Sequence, residues 1–238
     1  MKQLRDHFLR SLVVLAIAAG AVTVMSATAN AAFPLRSPQV VVNGGSLQAY
    51  FNSISESIDV QNDQLDAQTW STSISGNSTL TLMLELAAYA DQNALGVYNG
   101  SAGSPPTLFQ VFPGAATPGW YATAHFGTDG SLVVSLFDQN SVYQGQNSYM
   151  GVDRNNFGFY IQNTGGTYYS QDYRNAGYAH VLTYAGTGIN YGDWWECFED
   201  LPNATSDFNF SDAVLLVQSV SPVPAGTSSW GSIKGLYR

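Results

Sequence analysis

Residues 79–86 read TLTLMLEL, and their alternation decides the fold class. Leu80, Leu82, Leu84 and Leu86 recur at every second position, with Thr79, Thr81 and Glu85 between them. A period of two belongs to a β-strand, whose successive side chains point to opposite faces, so the leucines are expected on one face and the polar residues on the other.

Strand-like segments continue on the C-terminal side: ALGVYN (94–99), TLFQVF (107–112), WYATAHF (120–126), SLVVSLF (131–137), FGFYIQ (157–162), AHVLTYA (179–185), WWECF (194–198) and AVLLVQSV (213–220). Gly, Asn, Pro and Ser punctuate them, as turns require. WYATAHF and SLVVSLF are joined by GTDG, whose Asp129-Gly130 step suits a tight hairpin turn. Only GSLQAYFNSIS departs from this period: Leu47, Tyr50, Phe51 and Ile54 fall on one helical face. Many short strands with one short N-terminal helix predict a single all-β domain over residues 32–222, a β-sandwich of jelly-roll type. One pattern occurs twice, N-x-apolar-G-apolar-Y at Asn93–Tyr98 and Asn155–Tyr160, and suggests two equivalent strands of one sandwich.

The first 31 residues stand apart. They are basic at Lys2, Arg5 and Arg10, apolar from Leu12 to Met25, and end in Ala29-Asn30-Ala31. This is the layout of a secretory signal peptide with an A-x-A cleavage site, and it predicts an exported protein beginning at Ala32, periplasmic, extracellular or on the cell surface. The apolar run is shorter than the roughly 20 residues of a spanning helix, so no transmembrane segment is expected in the mature chain. Residues 223–238 are expected to form a C-terminal tail.

Losing Lys2, Arg5, Arg10 and Asp6 carries the formal charge from −9 to −11. Nucleic acid and anionic surfaces are excluded as partners, because binding them needs Lys and Arg to displace counterions. Cations and neutral ligands fit better. Cys197 is the only cysteine, so no internal disulfide forms, and its apolar setting predicts a buried thiol.

The acids concentrate near the end. Asp193, Glu196, Glu199, Asp200, Asp207 and Asp212 lie in a region with no Lys or Arg between Arg174 and Lys234. In DFNFSD (207–212) an extended chain puts Asp207, Asn209 and Ser211 on one side and Phe208 and Phe210 on the other. Calcium takes about six to eight oxygen ligands, and this run supplies them at loop spacing, with Glu199 and Asp200 arriving across the PNATS turn. The candidate ligands are therefore Glu199, Asp200, Asp207, Asn209 and Asp212. The run is not an EF-hand, since Asp212 and Gln218 stand where that loop needs Gly and Glu. Magnesium fits less well because it keeps its waters, and zinc less again because neither His125 nor His180 is adjacent. The plainer alternative is a solvated turn in which Asp207 or Asn209 caps backbone N–H groups.

Catalytic signatures are missing: there is no G-x-S-x-G elbow, H-E-x-x-H helix or phosphate-cradling loop. Glu85, Glu196 and Glu199 are the carboxylates from which a glycosidase pair would have to come. Polysaccharide binding is the stronger alternative, because Tyr168, Tyr169, Tyr173, Tyr178, Trp194 and Trp195 are residue types that stack on neutral sugars, as well as ordinary core fillers.

The ordered motifs Phe159-Tyr160, Tyr169-Ser170-x-Asp172 with Asn175, His180-Val181, Glu199-Asp200-Leu201 and Asp207-x-Asn209-x-Ser211-Asp212 resemble the secreted bacterial domain of unknown function 4114 family over residues 157–222. Asn209 and Ser211 stand where that family often has Asp and Asn. The resemblance implies a β-sandwich with a calcium-dependent acidic turn and supplies no activity. Together these features point to an exported, non-catalytic protein with a structural calcium site and a surface or extracellular role.

Overall fold

The alternating segments build two antiparallel sheets facing each other across an apolar core. The structure, a computed structural model, describes residues 33–87 and 89–224; the expected signal peptide and most of the expected tail lie outside them. In chain order, a helix α1 (Ser46–Ser53) precedes β1 (Trp70–Thr72), β2 (Asn77–Leu84), β3 (Ala94–Asn99), β4 (Leu108–Phe112), β5 (Tyr121–Phe126), β6 (Leu132–Phe137) and β7 (Tyr143–Tyr149). Then come β8 (Phe157–Asn163), β9 (Gly166–Tyr169), β10 (Val181–Ala185), β11 (Trp194–Phe198), β12 (Ala213–Gln218) and β13 (Val220–Pro222). One sheet has the order β13-β1-β8-β3-β4, with β9 also on β8, and the other β10-β11-β12-β2-β5-β6-β7. The result is an all-β sandwich, and its core holds Trp70, Phe126, Phe157 and Phe159 among the leucines and valines of both sheets.

The leucine alternation holds only in part. Leu80 and Leu82 are buried in the sandwich core, but Leu86 is exposed and Leu84 packs on the opposite side of its sheet. The cause is a register shift: Val214 pairs Leu84 and Leu215 pairs Leu82, which leaves Met83 as an extra residue. Such a bulge reverses the facing of everything beyond it.

Beyond that bulge a third layer begins. Leu47 and Phe51 of α1, with Ile58 and Val60, cover the outer face of β10, β11 and β12, meeting Leu182, Tyr184, Trp195, Cys197, Val214 and Leu216. These three strands are buried on both faces, which is why they read as continuous apolar runs rather than alternating ones. The expected helix is present, and Ile54 ends it as its C-cap.

The duplicated N-x-apolar-G-apolar-Y pattern has a physical basis. β3 and β8 are antiparallel neighbours in which Gly96 faces Tyr160 and Tyr98 faces Gly158. A Cβ on Gly158 would sit 2.5 Å from the Tyr98 ring, and one on Gly96 would sit 2.8 Å from the Tyr160 ring. Each glycine makes room for the tyrosine opposite, in a packed interior with no slack. Gly158→Ala is therefore expected to destabilise the fold by about 1–3 kcal/mol, as overpacking does. A urea unfolding curve with an unchanged midpoint would refute this.

Candidate metal centre

Strand register assembles the acidic cluster. β11 ends at Phe198 and β12 starts at Ala213, and these two residues are cross-strand partners. The residues just beyond, Glu199 and Asp200 on one strand and Asp212 on the other, are thereby forced side by side. The backbone N–H of Asp212 bonds the Phe198 carbonyl at 3.2 Å, and the Asp200 N–H donates to Asp212 Oδ2 at 2.8 Å.

Glu199, Asp200 and Asp212 each contribute a carboxylate oxygen to a group lying within 4.8 Å of one another. Oxygens bound to one calcium at about 2.4 Å lie no more than about 4.8 Å apart, so the spacing suits a shared ion. All three side chains are buried, at 0, 1 and 4 % exposure. Asn93 Nδ2 holds Asp200 Oδ2 at 2.9 Å, and the Leu201 N–H holds Glu199 Oε1 at 3.2 Å. Glu199 Oε2 is buried with no hydrogen-bond partner. A buried acceptor with nothing to accept from is costly unless something positive meets it.

Among the described residues no cation does so, the one ion pair being Arg36 with Asp172, at 2.6 Å. Burial pushes Glu199 up to about 7, against the pull of the Leu201 amide and of the nearby Ser206 hydroxyl, which stays outside hydrogen-bonding geometry with it, with the charges of Asp207 and Asp200 adding to the rise. Burial likewise pushes Asp212 up to about 8, reinforced by Asp200, Glu199 and Asp207. Asp200 is also raised by burial, while Asn93 and Asp212 ease it. Three crowded carboxyls thus hold protons that solvent-exposed ones would release.

The DFNFSD run is not the extended segment expected. Phe208 and Phe210 have φ of 56° and 52°, in the left-handed region that bulky residues avoid. Short side-chain links enforce it: Asp207 Oδ1 accepts from the Asn209 N–H at 3.2 Å, and Asn209 Oδ1 from the Ser211 N–H at 2.8 Å. These are Asx turns, in which the side chain captures the backbone two residues on. Asp207 is exposed and outside the close group, so of the four candidate carboxylates Glu199, Asp200 and Asp212 come together, while Asn209 Oδ1 accepts from the Ser211 N–H and lies 3.1 Å from its hydroxyl. Phe210 is nonetheless fully buried under α1, as an anchor for the turn.

Sequence reasoning missed two neighbours of the cluster. Asn93 buttresses Asp200, and Asn163 Nδ2 bonds both Asn93 Oδ1 at 3.1 Å and the Asp200 carbonyl at 3.0 Å. Glu85, expected on a polar strand face, is pushed up to about 8 by burial and by the charges of Asp200 and Asp91. All three placements depend on which strands pair across the fold, which no local pattern reports.

The remaining candidates have structural places. Glu196 is fully buried in the sheet, and burial raises its carboxyl well above the usual range. Thr183 Oγ1 lies 3.1 and 3.2 Å from its two oxygens and 3.1 Å from the Ala67 carbonyl. A neutral Glu196 can donate to Thr183, whose own hydrogen then goes to Ala67. His180 stacks on Tyr168 with centroids 4.2 Å apart, and burial lowers its pKa. Cys197 is buried, as expected, and burial pushes its thiol well up. The six aromatics expected as a sugar surface are divided between core and surface: Trp195 and Tyr168 are buried, Trp194 donates its indole N–H to the Val220 carbonyl at 3.0 Å, Tyr169 and Tyr173 both flank the Arg174 guanidinium, and Tyr173 and Tyr178 are exposed. Ser170 and Asn175, two of the motif residues, serve as struts. Ser170 Oγ accepts from the Phe159 N–H at 3.0 Å and donates to the Gln68 carbonyl at 2.7 Å, and Asn175 bonds Tyr169 at both backbone groups.

The chain is thus a β-sandwich with a buried carboxylate cluster at the β11–β12 junction. A scan against protein-family models finds no match, and a search of curated proteins finds none either.

Proposed function

We propose that this is an exported, non-catalytic β-sandwich protein in which Glu199, Asp200 and Asp212 bind a calcium ion that holds the β11–β12 junction in place. Glu199 Oε2 carries this proposal: it is a buried carboxylate oxygen without a partner, beside two more buried carboxylates. The close group consists of carboxylates alone, since His180, whose Nδ1 lies 3.1 Å from the Glu199 backbone carbonyl, is not part of it, and oxygen-only donors favour a hard cation. Mass action then stabilises the folded state by about 2.7 kcal/mol at 100 times the dissociation constant. The leader-like N-terminus supports export, where calcium is abundant, and among the described residues no helix is long and apolar enough to cross a membrane.

Thermal melts of the mature chain, in millimolar calcium and then in chelator, test this. The midpoint should rise with calcium, the rise should vanish in Asp212→Asn, and it should survive in Asp207→Ala. Equal midpoints with and without calcium would remove the proposal.

A further inference from the structure

β7 is the outermost strand of the seven-stranded sheet, paired only with β6. It reads YQGQNSY, and no charged residue or proline occurs between Asp138 and Asp153. Five of its seven residues are exposed, all but Gly145 and Tyr149. An outer strand of this kind carries a row of N–H and C=O groups with no partner strand, a template that proteins ordinarily blunt with Lys, Pro, shortness or a cover.

The other edges here are blunted. β10, at the far side of the same sheet, is covered where Leu65 bridges Thr183 and its N–H bonds the Thr183 carbonyl at 2.9 Å. β13 has three residues and ends in Pro222, and β9 has four. β4 has five residues and runs directly into Pro113. β7 alone is seven residues long and, among the described residues, uncovered; its bulge, with Gln144 as the extra residue against β6, and the Asp138 carboxylate that holds Gln144 Nε2 at 2.9 Å lie at its start, leaving Gly145–Tyr149 regular and neutral. Its composition also matters: Gln, Asn and Tyr side chains form ladders and stacks between identical strands.

We infer that β7 pairs with β7 of a second copy of this chain, in antiparallel register about a two-fold axis at Gln146, making one continuous sheet across the two sandwiches. The choice of a second copy rests on charge and self-complementarity. A chain with sixteen acids against five bases after Ala31 repels its own copies over most of its surface, and the stretch through β7 is a neutral window through that repulsion. An antiparallel two-fold contact at Gln146 sets that residue opposite its own copy, with Gly145 and Asn147 paired on either side. A strand-to-strand contact is small, so the association is concentration dependent rather than permanent.

Sedimentation of the mature chain over a concentration series reads this directly. A monomer–dimer equilibrium is expected, weakened about tenfold or more by Gln146→Lys, which sets like charges opposite each other. Thr123→Lys, two strands inward on the same face, should leave it unchanged. Gln146→Cys should give an interchain disulfide under mild oxidation, with Cys197 buried and uninvolved. A monomer at every concentration with no cross-link overturns the inference. So does equal disruption by Thr123→Lys, which would assign the contact to the sheet face, or a dimer indifferent to Gln146→Lys. Binding of a neutral glycan that protects β7 amides from exchange in a chain that stays monomeric would assign the edge to that ligand instead.

Discussion

Trp195→Ala is expected to destabilise the fold by about 3–5 kcal/mol, the range for emptying a large buried aromatic site. Trp195 is fully buried on the outer face of β11 and is contacted edge-on by Phe51 at 5.4 Å and Tyr50 at 6.2 Å. It is therefore the post on which α1 rests, and truncating it loosens the helix and the sheet together. Phe51→Ala should cost a similar amount, and the double variant less than the sum of the two, because the second truncation removes contacts already lost. Guanidinium unfolding of the two single variants and the double variant measures this. A loss under 1 kcal/mol for Trp195→Ala would mean that the third layer is not packed as described.

The second large effect is on pH dependence without calcium. Glu199 and Asp212 have ordinary values of 4.5 and 3.8 and are raised to about 7 and about 8 in the fold. A carboxyl whose pKa is higher when folded binds its proton more tightly in the native state, so stability is greatest at acid pH. It then falls as pH rises from about 4 through about 8, once the folded cluster must ionise. Each tenfold change is worth about 1.4 kcal/mol, so ionising Glu199 alone costs on the order of 3 kcal/mol by pH 8. Calcium should cancel that fall, and its stabilising effect should grow with pH. Glu199→Gln should flatten the chelator curve and raise stability at pH 8, since it removes an uncompensated buried charge. A chelator-treated protein whose midpoint rises from pH 5 to pH 8 would contradict the clustered geometry.

Most of the architecture was legible because it is written locally. Period-two segments became strands, and the Leu47–Phe51 spacing became α1. What escaped was either short, as with β1 and β13, or polar, as with β7, whose side chains have no core to report. Leu84 shows a different limit, because a bulge opposite β12 reversed its facing and nothing in TLTLMLEL announces one. Within the acidic site, Glu199, Asp200 and Asp212 were recognisable as ligand types. Their convergence follows from the pairing of Phe198 with Ala213, which is a tertiary fact. Asp207 and Asn209 are held by Asx turns of their own, which an extended reading of DFNFSD does not anticipate, and Asp207 is thereby exposed and outside the close group.

Calorimetric titration of calcium into the mature chain at pH 9, above the raised values of both Glu199 and Asp212, tests the central claim most directly. One site per chain is expected, lost in Asp212→Asn and in Glu199→Gln and retained in Asp207→Ala. No binding to the wild-type chain, or binding that survives loss of both Asp212 and Glu199, would contradict it.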